Sequence, residues 1–332
     1  MDIHSLGQVH RDLRRLKKDM HHTQRSAFAM GTWSNLHTQI KAFLLFCVHF
    51  RLVAIPASLE TVRMYAQFLS RSFKSPQSIK NYLHAIKFLH IVHDYEYPYT
   101  ESYLLKMLMN GIERIVCHVP KRAVPITPSI LLHLANIVNW THHMDIVCFS
   151  AGLFLFFTMA RAGNVFSHFA QGVHMGLRRR DVVAIGDTIF ITFKRTKTIR
   201  FGGRRLRVPL APNGTHICPV SALTHMISQV PAHSKDGLFV LPCQRNVMPL
   251  TQETFLRHFR RMLAKAAIPD PDTFTCHSFR RGGASWAFRA GLPGELIQLF
   301  GDWSSDCYKL YLDVSNEHKW AFANRKPPLY NN

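Results

Sequence analysis

The sequence predicts a mainly α-helical protein with one small β-sheet, folded as a helical domain followed by a mixed α+β domain. Three observations carry this. From about 23 to 116, apolar residues recur at helical spacing and Pro56, Pro76 and Pro98 punctuate the boundaries. The stretch His118–Pro128 then holds three prolines and two cations, Lys121 and Arg122, with little helix potential, and reads as an extended linker. Beyond it, short alternating or apolar runs around 181–210 are bounded by glycine turns and flanked by further helical patterns.

Residues 1–21 form a basic, polar lead, helical or frayed. Residues 22–117 hold four helices: Trp33–Phe50, Ser58–Phe73 with Ser58 as cap and Glu60 and Arg63 on its polar face, Ser78–His93, and Thr100–Cys117. After the linker, 118–128, comes a second domain over 129–315. It opens with helices at about 128–139 and 143–160. Strands follow at Asp181–Ile185, Thr188–Lys194 and Arg204–Leu210, the first two joined by Gly186–Asp187 and the last two by a loop ending in Gly202–Gly203. Helices resume at Pro219–Gln229, Thr251–Ala267, Ser278–Ala290, Pro293–Phe300 and about Ser305–Asp313, and 316–332 is a tail. No internal repeat interrupts this order.

Composition narrows the partner. The 332 residues hold 41 Lys and Arg against 20 acidic residues, a formal charge of +21. Such a surplus repels itself unless a polyanion neutralises it, and nucleic acid is the natural one. Neither a basic amphipathic membrane helix nor a lipid signal was read from the sequence. The densest apolar run, Ile146–Met159, contains Ser150, Gly152 and Thr158 and reads as a buried helix, so no membrane span is expected. Seven scattered cysteines, odd in number and without a CxxC pair, fit reduced thiols in the cytosol or nucleus. The 21 histidines lack ligand spacing, so no metal is expected.

The segment Cys276–His277–Ser278–Phe279–Arg280–Arg281–Gly282–Gly283 places a histidine and an arginine three apart, on one face of a helix turn. The first can pass protons; the second can hold a phosphate in a fork of donors. Gly301–Asp302–Trp303, Tyr308 and Tyr311 follow. A tyrosine hydroxyl is a usable nucleophile once charge is clamped around it. The pattern predicts phosphodiester cleavage through a covalent tyrosine.

These residues resemble the tyrosine recombinases, or phage integrases, over about 22–315 and most strongly from 150 onward. The segments Arg161–Ala162–Gly163–Asn164, His277–Gly283 and Gly301–Asp306 look most like the eukaryotic branch carried by Crypton-type mobile elements. The resemblance implies a helical core-binding domain of SAM-like fold, a linker and a catalytic domain. It also implies a site of Arg161, Lys197, His277, Arg280, Trp303 and Tyr311. Arg161 and Arg280 would hold the scissile phosphate, Lys197 in the hairpin loop, with Lys194 and Arg195 as close rivals, would protonate the leaving 5′ oxygen, and His277 would assist proton transfer. Family members usually carry an acid where this chain has Asn164, and many carry histidine where it has Asp302. An aspartate cannot donate a proton at neutral pH, so that role is expected to pass to the indole N–H of Trp303. Tyr311 has the family's spacing from Gly301; Tyr308 is the rival. Gly282–Gly283 are expected to let the backbone approach the substrate. No cofactor is needed, because the basic clamp takes a metal's place.

Residues 178–207 hold ten Lys or Arg against Asp181 and Asp187. Phosphate contacts are therefore expected from Arg178, Arg179, Arg180, Lys194, Arg195, Arg200, Arg204 and Arg205, together with Lys121, Arg122 and Arg281, the last with a structural ion pair as its alternative. The partner expected is double-stranded DNA, met by a monomer that assembles as a homotetramer on paired sites. The apolar residues Trp320, Phe322, Leu329 and Tyr330 of the tail are suited to docking on a neighbouring catalytic domain. Two other readings share the pattern: a type IB topoisomerase, and a domesticated DNA-binding protein that no longer cuts.

Overall fold

The computed structural model describes residues 3–119, 122–170, 173–196, 198–199, 204–244 and 246–312. Lys121, Lys197, Arg200 and the tail 316–332 lie outside the described residues. The chain divides into two compact units, one ending at Lys121 and one starting at Arg122.

The first unit is all helix: α1 (Ile3–Arg25), α2 (Met30–Phe50), α3 (Leu59–Ser70), α4 (Pro76–Val92) and α5 (Tyr103–Val116). Ser58 caps α3 by accepting from Thr61 N at 3.1 Å, and Ser102 caps α5 by accepting from Leu105 N at 3.4 Å. Phe43, Phe46, Val62, Tyr65, Ile79, Ile86, Leu105 and Ile112 fill its core. His90 is fully buried there, and its ring is satisfied on both sides. It accepts from Ala57 N at 2.9 Å and donates to the Ile86 carbonyl at 2.8 Å, which fixes one neutral tautomer.

The second unit is built around a helix with almost no exposed face. It begins with α6 (Pro128–Ile137), α7 (His143–Thr158) and a single helical turn, α8 (Ala162–Val165). Two short strands, β1 (His168–Ala170) and β2 (Val173–Met175), pair antiparallel. The antiparallel sheet follows, in the order β3 (Val182–Ile185), β4 (Thr188–Phe193), β5 (Leu206–Leu210). Then come α9 (Pro219–Gln229), the hairpin β6 (Val240–Cys243) and β7 (Asn246–Pro249), α10 (Gln252–Lys265), α11 (Cys276–Arg289) and α12 (Gly294–Phe300). The last element, expected as an α-helix, is a tighter 3₁₀ turn over Asp306–Tyr311.

The expected Gly186–Asp187 turn joins β3 and β4, with Gly186 at φ 57°, the conformation such two-residue turns require. Ile189, Ile191 and Phe193 alternate inward along β4 and face Leu210, Val208 and Leu206 of β5. Around α7 the core is Phe149, Phe154, Phe156, Phe239, Phe255, Phe259 and Phe279. Truncating one of these rings to alanine costs about 3–5 kcal/mol. Gly152 of α7 lets Phe259 and Phe279 close on the helix axis, since a Cβ there would sit 3.0 Å from Phe259. Packing α11 and α10 on α7 sets the ends of α7 and α11 side by side.

Candidate active site

Four pieces of backbone converge in the second unit. The first is the end of α7. Met159 takes a left-handed conformation, φ 50°, and stops the helix. Its carbonyl turns toward α11, and Arg161 follows at the start of α8. The second is α11, capped by Thr275, which accepts from His277 N at 3.2 Å. The third is the end of α12, where Asp302 takes φ 54° and Trp303 folds back over Gly301. A Cβ on Gly301 would lie 1.7 Å from the indole, so only glycine admits this turn. The fourth is the 3₁₀ turn that ends at Tyr311, whose carbonyl accepts from Ser285 Oγ of α11 at 3.0 Å.

Arg280 sits at the centre and is 1% exposed. Its Nη1 donates to the Met159 carbonyl. Its guanidinium lies flat on the Trp303 ring, 3.6 Å from the centroid, and 5.6 Å from the centroid of Tyr311. Such a stack contributes about 0.5–2 kcal/mol. Its Nε and Nη2 are buried with no hydrogen-bond partner among the described residues, and so is the indole N–H of Trp303. Burial, then the charge of Arg161, holds the Arg280 pKa below the ordinary arginine range, while Tyr311 and Asp302 act against the shift. A buried donor left unpaired costs about 1–3 kcal/mol, a cost that an anionic oxygen in this place would remove.

Arg161 is held differently. Its Nη1 donates to the Asp302 carbonyl at 3.2 Å and lies 3.7 Å from the Asp302 carboxylate. That carboxylate is the hub of the site. It accepts from Arg204 Nη2 at 2.7 Å, from Thr196 Oγ1 at 2.5 Å and from Thr198 Oγ1. Asp302 is 5% exposed, so these partners meet in a dry place where each bond counts for more. Through them Asp302 ties Thr196 and Thr198 of the loop between β4 and β5 to Arg161 and Arg204.

His277 stands exposed at the start of α11. Partial desolvation of its ring, then the charges of Arg280 and Arg161, hold its pKa below the usual histidine value. It is a neutral imidazole at neutral pH, able to take up a proton. Tyr308 and Tyr311 differ in freedom. Tyr308 is buried, and a Cβ on Gly294 would lie 2.3 Å from its hydroxyl, so that hydroxyl is packed against the start of α12. Tyr311 is half-buried, beside Arg280 and 5.3 Å from Trp303 between ring centroids.

Arg161, His277, Arg280, Trp303 and Tyr311, far apart in sequence, are thus brought together. Four other residues named in the sequence take part in packing. Gly282 and Gly283 serve packing rather than approach to a substrate. A Cβ on Gly282 would lie 1.8 Å from the Ile126 carbonyl, and one on Gly283 would lie 2.1 Å from that of Phe156. Arg281 donates from Nη1 to the Ala123 carbonyl at 2.9 Å and pins the segment before α6 to α11. Arg179 is a strut as well, half-buried, with Nη2 donating to the Val230 carbonyl at 2.9 Å.

The remaining cations lie nearer solvent. Arg122, Arg180, Arg195 and Arg205 are exposed. Lys194 pairs with Asp181, and Arg178 donates from Nε to His174 Nδ1 at 3.2 Å. Arg178, Arg180, Lys194 and Arg195 line one cleft of about 180 Å³ with Asn164 and His174. The sequence names Asp302 but not its part as the carboxylate hub, and it does not single out Thr196 or Thr198. The signal that could have found Asp302 is charge balance: a cluster of buried and half-buried arginines needs an acid, and Asn164 does not supply one. Among the described residues, no cluster of His, Cys, Asp or Glu could hold a metal, and no helix is long and apolar enough to cross a membrane.

This arrangement has counterparts among solved structures. The Tn1549 transposon integrase in complex with transposon right end DNA matches with a TM-score of 0.59 at 14% identity, over 92% of this chain and 96% of that one. The XerH site-specific recombinase bound to palindromic difH substrate, a post-cleavage complex, matches with a TM-score of 0.57 at 15% identity, over 85% and 75%. The fold is that of the tyrosine recombinases. A pre-cleavage complex of XerH gives a TM-score of 0.53 at 15% identity, over 86% of this chain and 76% of that one. No model of a protein family matches the chain, and no curated protein matches it. At such identities the tyrosine-recombinase likeness rests on fold, and the chemistry must be argued from the residues.

Proposed function

We propose that this protein is a site-specific recombinase that cuts and rejoins double-stranded DNA through a covalent 3′-phosphotyrosine. The observation that carries the reading is the set of donors around Arg280: two guanidinium nitrogens and the Trp303 indole N–H, buried, with no well-aligned acceptor among the described residues, and beside the Tyr311 side chain that acts on the guanidinium. Donors held ready in a dry place are what a phosphate accumulating charge in its transition state requires.

In this mechanism Arg280 and Trp303 bind non-bridging oxygens from one side, and Arg161 binds from the other. The Tyr311 oxygen forms a bond to phosphorus and gives up its proton, with the neutral His277 as the nearby acceptor. The bond from phosphorus to the 5′ oxygen breaks, and Lys197 supplies the proton that oxygen needs. The phosphotyrosine keeps the bond energy, so rejoining to another strand needs no nucleotide. The transposon-end DNA and difH substrate bound in the Tn1549 and XerH structures support DNA as substrate. Four strand cuts need four nucleophiles, which supports assembly of four copies on paired sites. The Crypton-type look of the motif segments supports a mobile-element origin.

The test is covalent trapping on a library of nicked duplexes in excess EDTA. The parent chain should give a protein–DNA adduct, Tyr311→Phe should give none while still binding DNA, and Tyr308→Phe, if folded, should keep it. An adduct from Tyr311→Phe, or an absolute need for magnesium, sinks the reading.

A further inference from the structure

The first helix presents a face that nothing in its own unit covers. Every residue of α1 whose burial is described is exposed. Four of them are large and apolar: Val9 at 62%, Leu13 at 47%, Leu16 at 66% and Met20 at 48%. Their steps of four, three and four residues form the narrow seam by which two helices wind around each other. The basic residues Arg11, Arg14, Arg15, Lys18 and Arg25 lie on the side away from that seam. The end of α1 is fixed, because Trp33 Nε1 donates to the Arg25 carbonyl at 2.8 Å and Phe28, Trp33 and Phe88 pack edge to face. The bundle therefore holds the helix by its end and leaves the seam in water. A lone helix of this kind is marginal without a partner for its apolar stripe.

We propose that α1 pairs with α1 of a second copy of this chain, in parallel and in register, along Val9, Leu13, Leu16 and Met20. The flanking charges select both partner and direction. Asp12 and Asp19 border the seam on one side and Lys17 borders it on the other. In a parallel pair, Asp12 of each helix lies across from Lys17 of its partner, so the attraction occurs twice. In an antiparallel pair the aspartates face aspartates and the lysines face lysines. An anionic membrane surface would instead favour cations on both flanks of the stripe, and here one flank is acidic. The seam is short, so the pairing is reversible, and a dimer in exchange with monomer replaces the monomer expected in solution. The inference is independent of the strand-cutting chemistry.

Sedimentation equilibrium of the full chain over a range of concentrations tests it. The parent should associate to a dimer. Leu13→Asp with Leu16→Asp should raise the dissociation constant by about tenfold or more. Arg14→Asp with Lys18→Asp, on the far face, should change it far less. Asp12→Lys alone should weaken pairing, and Asp12→Lys combined with Lys17→Asp should restore it, a rescue that only parallel register provides. Circular dichroism of each variant separates a lost seam from a lost fold, and the restored double variant carries the conclusion if a single one misfolds. A parent chain that stays monomeric throughout, or seam variants that associate like the parent, would overturn the proposal. So would phosphatidylserine vesicles that bind the parent and not the seam variant while sedimentation stays the same, which would give the face to a membrane.

Discussion

Arg161 and Arg280 stand in one site and are built in opposite ways. Arg280 is 1% exposed, meets no carboxylate, and is held by a carbonyl and an indole face. The side chain of Arg161 is 25% exposed and shares Asp302 with Arg204. The difference teaches two ways of ordering a cation, one with a carboxylate and one without. Packing from α7, α11 and Trp303 orders Arg280 without using its outward donors. Arg161 lies nearer water, where a loose side chain would wander, so a carboxylate restrains it. On the proposed function, a phosphate would meet Arg280 directly but would compete with Asp302 for Arg161.

The largest effects should fall on Arg280. Arg280→Lys replaces a planar fork by a point charge, loses the stack and removes the reserved donors. Adduct formation should fall by about 10²–10³-fold, as for loss of a donor aimed at transition-state charge. Arg161→Lys can still pair with Asp302, and its loss should be nearer about tenfold. Equal losses in a single-turnover trapping assay would erase the distinction between the two arginines.

Asp302→Asn tests the restraint itself. Removing the charge weakens three partners at once and should cost about 1–3 kcal/mol of unfolding free energy, read by denaturant titration. The same change frees Arg161, so inorganic phosphate should bind more tightly than to the parent. Weaker phosphate binding by a folded variant would mean that Asp302 acts for the ligand and not against it.

The next effect is on pH. His277 has its pKa held below the value of the unfolded chain, so the unfolded state binds the proton more readily. Stability from this group is complete above about 6.5, the unfolded value, and is lost as pH falls below it. The parent should therefore lose more stability than His277→Asn between about pH 7.5 and 5.5. Bound phosphate would offset the two arginines and raise the His277 pKa, so binding should take up a proton, measurable by calorimetry in two buffers. A His277 titration unmoved by phosphate would separate the imidazole from the anion's place.

The smallest effect is expected from Trp303→Phe. An aromatic face remains for Arg280 and only the indole N–H is certain to go, a change of about 1 kcal/mol in phosphate affinity. A loss as large as that of Arg280→Lys would show that the indole, and not the guanidinium, leads the site.

Much of this was legible along the chain. Pro56, Pro76 and Pro98 mark the helix boundaries, Gly186–Asp187 fixes the hairpin, and alternation over Thr188–Phe193 shows which face of β4 is buried. The pair His277 and Arg280 declares its chemistry through residue type and spacing. The hairpins β1–β2 and β6–β7 were not legible, because strands of three or four residues hold too few side chains to show a period. Nor was α1 as a single helix of 23 residues: its charges drew attention and its seam did not.

The sequence by itself determined the helices, the charge, the order of the site residues and the types of group available, since each of these depends on neighbours a few positions away. Tertiary structure alone decided which neighbours each arginine meets. Arg179, Arg280 and Arg281 each give a donor to a carbonyl of another element, but Arg280 alone of the three lies over the Trp303 ring and beside Tyr311. The tasks of Gly282, Gly283 and Asp302 were decided there too. A glycine's use depends on which backbone lies opposite, and a carboxylate's on which cations arrive, and both come from residues more than ninety positions away.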